Sequence, residues 1–333
     1  MAAMTQTSLG STLVITNPAA RGGRAALGER EVLEFLQKNP SSTTSYEAYE
    51  TQVPGDAARI AATAQGRDTV LVVGGDGCVH DAVNGLMHIP EDLRPALGVV
   101  PTGTGNDFAR SLGMTLNNTG AALRDIFQGA VRTVDLGVID AESPMGPTYF
   151  METLSFGLDA AIALDASRRH NERAGRGDSN TFASSGLSIF SEKHDGWPFM
   201  ATLIAGIGGA AAEAAGEMVN GSEMIFAVQV GPTYGGGFKI APDAMPTDGL
   251  LDVCWSAPIP STVKRLALFG LARFGHHKGS DSLEFRKVQR LEISFPEEEP
   301  PCQVDGEPLS GNTHIIECAP NALKVIVPPS CPW

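Results

Sequence analysis

Three short stretches of this 333-residue chain set glycines beside carboxylates. They are Gly74-Gly75-Asp76-Gly77, the run Pro101-Thr102-Gly103-Thr104-Gly105-Asn106-Asp107, and Asp305-Gly306-Glu307. A strand that ends in consecutive glycines lets peptide N–H groups approach a ligand with no Cβ in the way. A helix that starts directly afterwards adds positive potential, and the two together favour phosphate. Asp76 then offers the hard oxygen that Mg2+ takes alongside substrate phosphates. The rival reading of Gly74–Gly77 is a tight turn that needs positive φ. Asp107 has a rival too, as the N-cap of the helix that follows.

The second loop repeats the device of the first. Two neighbouring strands would deliver both loops to the crevice at the carboxyl ends of an open α/β sheet, where such sheets bind ligands. Neither loop is GxGxxG or a P-loop, and the lysine of a P-loop is missing. A nucleoside triphosphate site is the reading the pair favours. Asp305-Gly306 is first of all a hairpin turn, and Asp248-Gly249 carries the same signal. Such a turn also leaves a carboxylate exposed and aimed, with Glu307 two residues on. If two domains face each other, Asp305 would meet the γ-phosphate end of the nucleotide.

The elements needed to hold these loops are legible around them. "STLVIT", "TTSYEAY", "TVLVV" and "ALGVV" read as strands, the last two as runs buried on both faces of a parallel sheet. Helical patterns alternate with them: "GGRAALGEREVLEFLQK", "PGDAARIAATAQG", Gly77 to about Met87, then "NDFARSL" and "TGAALRDIFQG". Such alternation predicts a doubly wound α/β domain. Near Val131 the rhythm changes to short strands: "VRTVDLGVI", "TYFMETLSF", "MIFAVQV", "LLDVCWS", "LEFRKV", "RLEISF", "THIIEC" and "LKVIV". Helices are expected there only at about 158–170 and 261–277, so the second domain reads as a β-sandwich. "RRHNERAGRGDSNTFASSG" is polar and glycine-rich and reads as a surface loop.

Composition narrows the function. The formal net charge of −14 argues against a nucleic-acid partner. The five cysteines, Cys78, Cys254, Cys302, Cys318 and Cys331, are scattered, with no C-x-x-C pair, and suggest neither zinc nor a disulfide framework. The first residues lack a basic region and a long apolar core, so no secretory signal is read there. "WPFMATLIAGIGGAAA" falls short of the roughly 20 residues of a spanning helix. A cytoplasmic protein without a transmembrane segment is expected.

The stretches "NPAARGG", "VVGGDGCVHDAVNGL", "LGVVPTGTGNDFARSLG", "SFGLDAAIA", "YGGGFKIAPDAMPTDGLLDV" and "VDGEPL" together resemble the lipid kinase superfamily of bacterial diacylglycerol kinases and sphingosine kinases. They span nearly the whole chain, and their order is the specific part. The resemblance implies an N-terminal α/β ATP-binding domain over 1–133, a β-sandwich lipid-substrate domain over 134–320, and a segment 321–333 returning to the first. It implies an ATP site in the cleft between the domains and transfer of the γ-phosphoryl group to a lipid hydroxyl, diacylglycerol ahead of a sphingoid base or ceramide. By the same resemblance Asp305 is the candidate general base, supported by Glu307. Asp76 and Asp107 organise the catalytic Mg2+. Asn17, Gly74, Gly75, Gly77, Thr102, Gly103, Thr104, Gly105 and Asn106 surround the nucleotide. Some relatives carry a second, structural Mg2+, which here would fall on Asp243 with the carbonyls of Ile240 and Met245. An ordinary turn aspartate is the alternative for Asp243.

Three departures stand out. Cys78 follows the glycine loop where many relatives have threonine. Glu152 and Gly231 each stand where asparagine is frequent, on the acceptor side. The stretch 262–279 combines Leu266, Leu268, Phe269, Leu271 and Phe274 with Lys264, Arg265, Arg273 and Lys278. It reads either as a basic amphipathic helix for peripheral contact with a lipid surface or as a helix packed on the sandwich. A soluble-metabolite kinase of the NAD kinase type and a non-catalytic nucleotide- or lipid-binding protein remain the competing functions, and a homodimer is compatible with either.

Overall fold

The computed structural model describes residues 8–18, 24–139, 146–172, 181–191, 195–205 and 216–333. The chain divides into two compact units. The first holds the described residues up to Val134 together with Glu172 and Asn321–Trp333, and the second those within Asp135–Asn171 and Asp178–Pro320.

In the first unit, strands β1 (Ser11–Thr16), β2 (Ser45–Glu50), β3 (Thr69–Gly74) and β4 (Ala96–Pro101) form a parallel sheet in the order β2-β1-β3-β4. β3 and β4 are buried along their whole length, as their unbroken apolar runs require, whereas edge strand β2 is mostly exposed. The helices are α1 (Arg24–Lys38), α2 (Asp56–Ala61), α3 (Asp76–Met87), α4 (Asp107–Ser111) and α5 (Thr119–Phe127). Phe35 of α1 stacks on Phe127 of α5 with ring centroids 5.0 Å apart. α2 packs so closely on α3 that a Cβ on Gly85 would stand 2.1 Å from the Ala58 carbonyl oxygen. α2 is shorter than its alanine-rich sequence predicts. Beyond Ala61 the chain continues in turns, with Thr63 Oγ1 donating to the Ile60 carbonyl.

β5 (Ala130–Ile139) leads into the second unit, with β6 (Thr148–Phe150), β7 (Thr153–Gly157), α6 (Leu158–Glu172), α7 (Thr181–Ile189), β8 (Trp197–Ile204), β9 (Glu217–Glu223), β10 (Ile225–Gln229), β11 (Leu251–Ser256), α8 (Thr262–Ala272), β12 (Glu284–Val288), β13 (Arg290–Ser294), β14 (Cys302–Val304), β15 (Glu307–Pro308) and β16 (Thr313–Val327). One antiparallel sheet runs β12-β11-β10-β7-β14-β15; the other sets β13 between β8 and the first part of β16, with β9 beside β8. Their inner faces meet in an aromatic core. Phe156 of β7 lies 6.2 Å from Phe226 of β10, 5.1 Å from Phe295 and 5.3 Å from His314.

Several expectations change here. "TYFMETLSF" is two strands rather than one, broken at Met151-Glu152. "THIIEC" and "LKVIV" belong to the single strand β16, which deforms locally at Asn321 with φ 53°. The stretch expected as one surface loop is helical at both ends, in the last turn of α6 and in α7, because Phe182 has an aromatic cluster to enter beside Tyr234, Phe238 and Phe269. The middle of that loop, including Arg176–Asp178, lies outside the described residues, as do Ala19–Gly23 of "NPAARGG". The apolar "WPFMATLI" is strand β8. α8 ends at Ala272, and Gly275 at φ 76° closes the turn that follows.

After β16 the chain packs on the first unit. Trp333 Nε1 donates to the Ser111 carbonyl at 3.2 Å, and Ser330 Oγ to that of Gly113 at 3.2 Å.

Candidate functional site

In the first unit, β1, β3 and β4 lie side by side, so the residues after them emerge at one edge of the sheet. Asn17 N donates to the Val73 carbonyl at 3.2 Å, and Thr102 N to that of Gly74 at 2.9 Å. The two glycine loops then touch. A Cβ on Gly75 would stand 2.9 Å from the Gly103 Cα, and one on Gly103 would stand 2.4 Å from the Gly75 Cα. Gly75 itself has φ −101°, and none of Gly74, Gly77, Gly103 or Gly105 has positive φ. Close backbone approach, not turn geometry, is therefore what demands glycine at 75 and 103.

Gly75 caps α3, and Asp76 is its first residue. Asp107 likewise opens α4, whose N-cap is Asn106 at φ 53°, so Asp107 is not the cap. The Asn106 side chain closes its own loop: its Oδ1 accepts from Gly103 N at 2.9 Å and its Nδ2 donates to the Gly103 carbonyl at 2.8 Å. With the amide so engaged, Asn106 shapes the loop. The Asp76 carboxylate reaches across to accept from Phe108 N at 3.4 Å. Both aspartates converge on Gly105, where a Cβ would lie 2.7 Å from Asp76 Oδ2 and 3.2 Å from Asp107 Oδ2. Arg110 Nε stands 3.7 Å from Asp107 Oδ1.

The hydroxyls of Thr102 and Thr104 are buried without a hydrogen-bond partner among the described residues. Two orphaned hydroxyls, backbone bared by glycine and a pair of carboxylates fit a phosphate chain with its cation, since Mg2+ is held by one or two carboxylates plus substrate phosphates. Cys78 packs beneath Gly74, and burial, helped by Asp81, pushes its thiol up to about 12. It is a neutral packing residue, not a nucleophile.

In the second unit, Asp305 and Gly306 turn β14 into β15 with φ 46° and 94°, the signs of a type I′ hairpin. The Asp305 carboxylate accepts three peptide N–H groups: Met151 at 2.9 Å, Glu152 at 3.1 Å and Thr153 at 3.0 Å. Gln303 braces the turn, its Oε1 accepting from Gly306 N at 2.7 Å and its Nε2 donating to Ser155 Oγ at 2.8 Å. Glu307 is exposed in β15, opposite Val304. Gln303 was detectable in principle, as an amide inside the apolar "CQV". The backbone donors at 151–153 leave no side-chain signature.

Glu152 and Gly231 are in contact. A Cβ at 231 would stand 2.1 Å from Glu152 Oε2, so the two departures from the family pattern occupy one space. The residues expected around a structural cation are otherwise engaged. Asp243 pairs with Lys278, the Ile240 carbonyl accepts from His277 Nε2 at 3.0 Å, and the Met245 carbonyl accepts from Thr247 N at 2.7 Å. No group of three or more His, Cys, Asp or Glu suited to a metal occurs among the described residues. On α8, Arg265 does not join a basic surface: it is buried and donates to the carbonyls of Phe190, Ile259 and Pro260.

Residues 11–139 match the diacylglycerol kinase catalytic domain, and residues 209–327 match the YegS C-terminal NAD kinase beta sandwich-like domain. The chain belongs to the diacylglycerol kinase-like lipid kinase superfamily. A diacylglycerol kinase of Bacillus subtilis (strain 168) is 27% identical over 288 residues, covering 85% of this chain and 86% of its own. A "probable lipid kinase YegS-like" of Yersinia enterocolitica is 27% identical over 322 residues, covering 96% and 98%. The fold is shared with a solved diacylglycerol kinase from Bacillus anthracis str. Sterne, with a TM-score of 0.71 at 20% identity over 97% of this chain and 98% of that one. Membership of a kinase family implies ATP as the phosphoryl donor. No helix among the described residues is long and apolar enough to cross a membrane.

Proposed function

We propose that the protein transfers the γ-phosphoryl group of ATP to a lipid hydroxyl, with diacylglycerol as the first acceptor and phosphatidic acid as the product. The observation that carries this reading is the convergence of Asp76 and Asp107 on Gly105, beside two loops in backbone contact at Gly75 and Gly103. Phosphoryl transfer asks a protein for positioning and charge compensation above all. In this assignment Asp76 and Asp107 hold the Mg2+ that neutralises phosphate charge. The peptide groups of Gly74–Gly77 and Gly103–Gly105, with the hydroxyls of Thr102 and Thr104, cradle the phosphates, and Asn17 lies at the same sheet edge. Asp305 accepts the proton of the attacking hydroxyl. Its three N–H donors fix where that carboxylate points.

Contact with a lipid surface is assigned to α8 and the turn after it. Val263, Leu271 and Phe274 are 79%, 41% and 67% exposed there. A sphingoid base or ceramide is the second reading. Glu152, a buried carboxylate next to the Asp305 turn, would pair with the ammonium of a sphingoid base, a group that neither ceramide nor diacylglycerol carries.

The deciding experiment is transfer from γ-labelled ATP with Mg2+ to diacylglycerol, ceramide, sphingosine, phosphatidylglycerol and NAD, in wild type and Asp305→Asn. Label on one lipid, lost in the variant, supports the reading and names the acceptor. Label on NAD moves the assignment to a soluble-metabolite kinase. ATP binding without transfer to any acceptor favours a binding protein.

A further inference from the structure

Gln303 is fully buried in β14, beside Ser155 of β7 in the sheet register. The two ends of its amide do different things. Oε1 accepts from Gly306 N at 2.7 Å, and Nε2 donates to Ser155 Oγ at 2.8 Å. A peptide N–H can only donate, so Gly306 fixes which end of the amide faces the turn. Ser155, also fully buried, accepts the amide proton on its oxygen and keeps its own proton to give. Its hydroxyl is hydrogen-bonded to the carboxyl group of Asp159, which is buried in the first turn of α6. Tyr234 Oη donates to the same carboxyl at 3.2 Å. The chain Gly306–Gln303–Ser155–Asp159 therefore has a single direction of donation.

What this chain grips is the peptide plane that follows Asp305. Gly306 N belongs to that plane, so holding it fixes ψ of Asp305. The plane before Asp305 is fixed separately, by the Asp305 N–H donated to the Thr153 carbonyl at 2.9 Å. Asp305 stands at φ 46°, a region that residues other than glycine enter at a cost and keep where their surroundings over-determine it. The hairpin itself is closed by backbone pairing of β14 with β15 and does not ask for a side-chain grip on its second residue.

The other Asp-Gly turn of this unit makes a useful contrast. There Gly249 N donates to a carboxylate, Asp135 Oδ2 at 2.7 Å, and Asp248 pairs with Lys287. At Asp305 the corresponding acceptor is a neutral amide. A carboxylate in its place would set like charge beside Asp305 and favour the protonated form, which cannot take a proton from an acceptor hydroxyl.

We infer that Gln303 is the positioning residue of the proposed base, a neutral clamp anchored through Ser155 on Asp159 that sets the direction of the Asp305 carboxylate. The inference rests on the reading of Asp305 as the base, and Gln303 acts only through it.

The test is a double-mutant cycle on kcat in wild type, Gln303→Met, Asp305→Asn and the double variant. The assay uses γ-labelled ATP, Mg2+ and dioctanoylglycerol in detergent micelles, or sphingosine if dioctanoylglycerol takes no label. Methionine keeps the length of glutamine and removes both bonds. Misplacing a reacting group by about 1 Å costs on the order of 100-fold, so Gln303→Met should lower kcat about 10–100-fold and leave KM for ATP within about twofold. In the Asp305→Asn background the same change should cost less than about threefold, because no base is left to aim. Where Gln303→Met does not fold, Ser155→Ala runs the same cycle, since it keeps the Gly306 bond and removes the anchor. Equal losses in both backgrounds would assign Gln303 to the fold alone and overturn the inference. An unchanged kcat for both Gln303→Met and Ser155→Ala would overturn it too. Asp305→Asn with the kcat of wild type, or a wild type that labels neither lipid, would remove the base reading itself and the inference with it, a result distinct from the other two.

Discussion

Gly75 and Gly103 meet so closely that a Cβ on Gly103 would stand 2.4 Å from the Cα of Gly75. Each loop is thus the template for the other, and the carboxylates of Asp76 and Asp107 inherit their positions from that contact.

Gly103→Ala should therefore push the loops apart. The obstructing atom is backbone, so the strain cannot be relieved by a rotamer change, and a loss of about 1–3 kcal/mol in urea unfolding is expected. ATP affinity should fall with it. An unchanged unfolding midpoint would show that the loops are not in contact in solution.

Asp76→Asn and Asp107→Asn address the proposed cation. Loss of a group that only supports a metal ligand costs 10–100-fold, so loss of a ligand should reduce transfer by at least about 100-fold. The reduction should shrink as Mg2+ is raised, because weakened binding is offset by mass action. An effect that ignores Mg2+ concentration would assign the carboxylates to loop structure alone.

For Asp305→Asn, kcat should drop by roughly 10²–10⁴, the usual contribution of a general base. ATP binding should be unaltered, because the residue is placed at the acceptor hydroxyl. A matching loss of ATP affinity would instead point to a collapsed turn, since the amide cannot accept all three N–H groups of Met151, Glu152 and Thr153.

Glu152 and Gly231 should behave as a pair. Gly231→Asn alone drives a side chain into the Glu152 carboxylate and should be destabilising. Glu152→Asn with Gly231→Asn should recover most of the loss, with a coupling of about 0.5–3 kcal/mol in a double-mutant cycle. Additive losses would falsify the shared-space interpretation.

Stability should carry the signature of Asp159. Burial raises its carboxyl to about 7, against a value near 4 in the unfolded chain. A raised acid contributes stability that is complete below its unfolded pKa and is lost as pH climbs through its folded one. The stability of wild type relative to Asp159→Asn should therefore decline from pH 5 to pH 7 and then level off, by at most about 1.4 kcal/mol per pH unit. Neutral His277 and His314, which burial shifts downward, are common to both proteins and cancel in the difference. Parallel curves would show that Asp159 is hydrated in solution.

The parallel sheet was readable because "TVLVV" and "ALGVV" are too short and too β-branched to be helices and are bounded by glycine. The two glycine loops were readable because glycine and carboxylate types survive in one dimension. Helix α7 was not, since "TFASSG" looks like a loop until Phe182 finds Tyr234 and Phe269. The Asp305 turn was visible, but what holds it was not, because peptide N–H groups are written at every position. Nor did sequence suggest that Lys278 would take the carboxylate of Asp243, or that Arg265 would be spent on carbonyls inside a helix that looks basic from outside.

The support of Asp305 has a consequence for how such a protein diverges. A side-chain partner can be lost in one mutation, but a peptide N–H is removed only by proline. Met151, Glu152 and Thr153 can exchange their side chains while still holding the same carboxylate. The surface next to the proposed base is therefore open to variation at little risk to the base itself. A lineage built this way can change its proposed acceptor surface while keeping the proposed base in place.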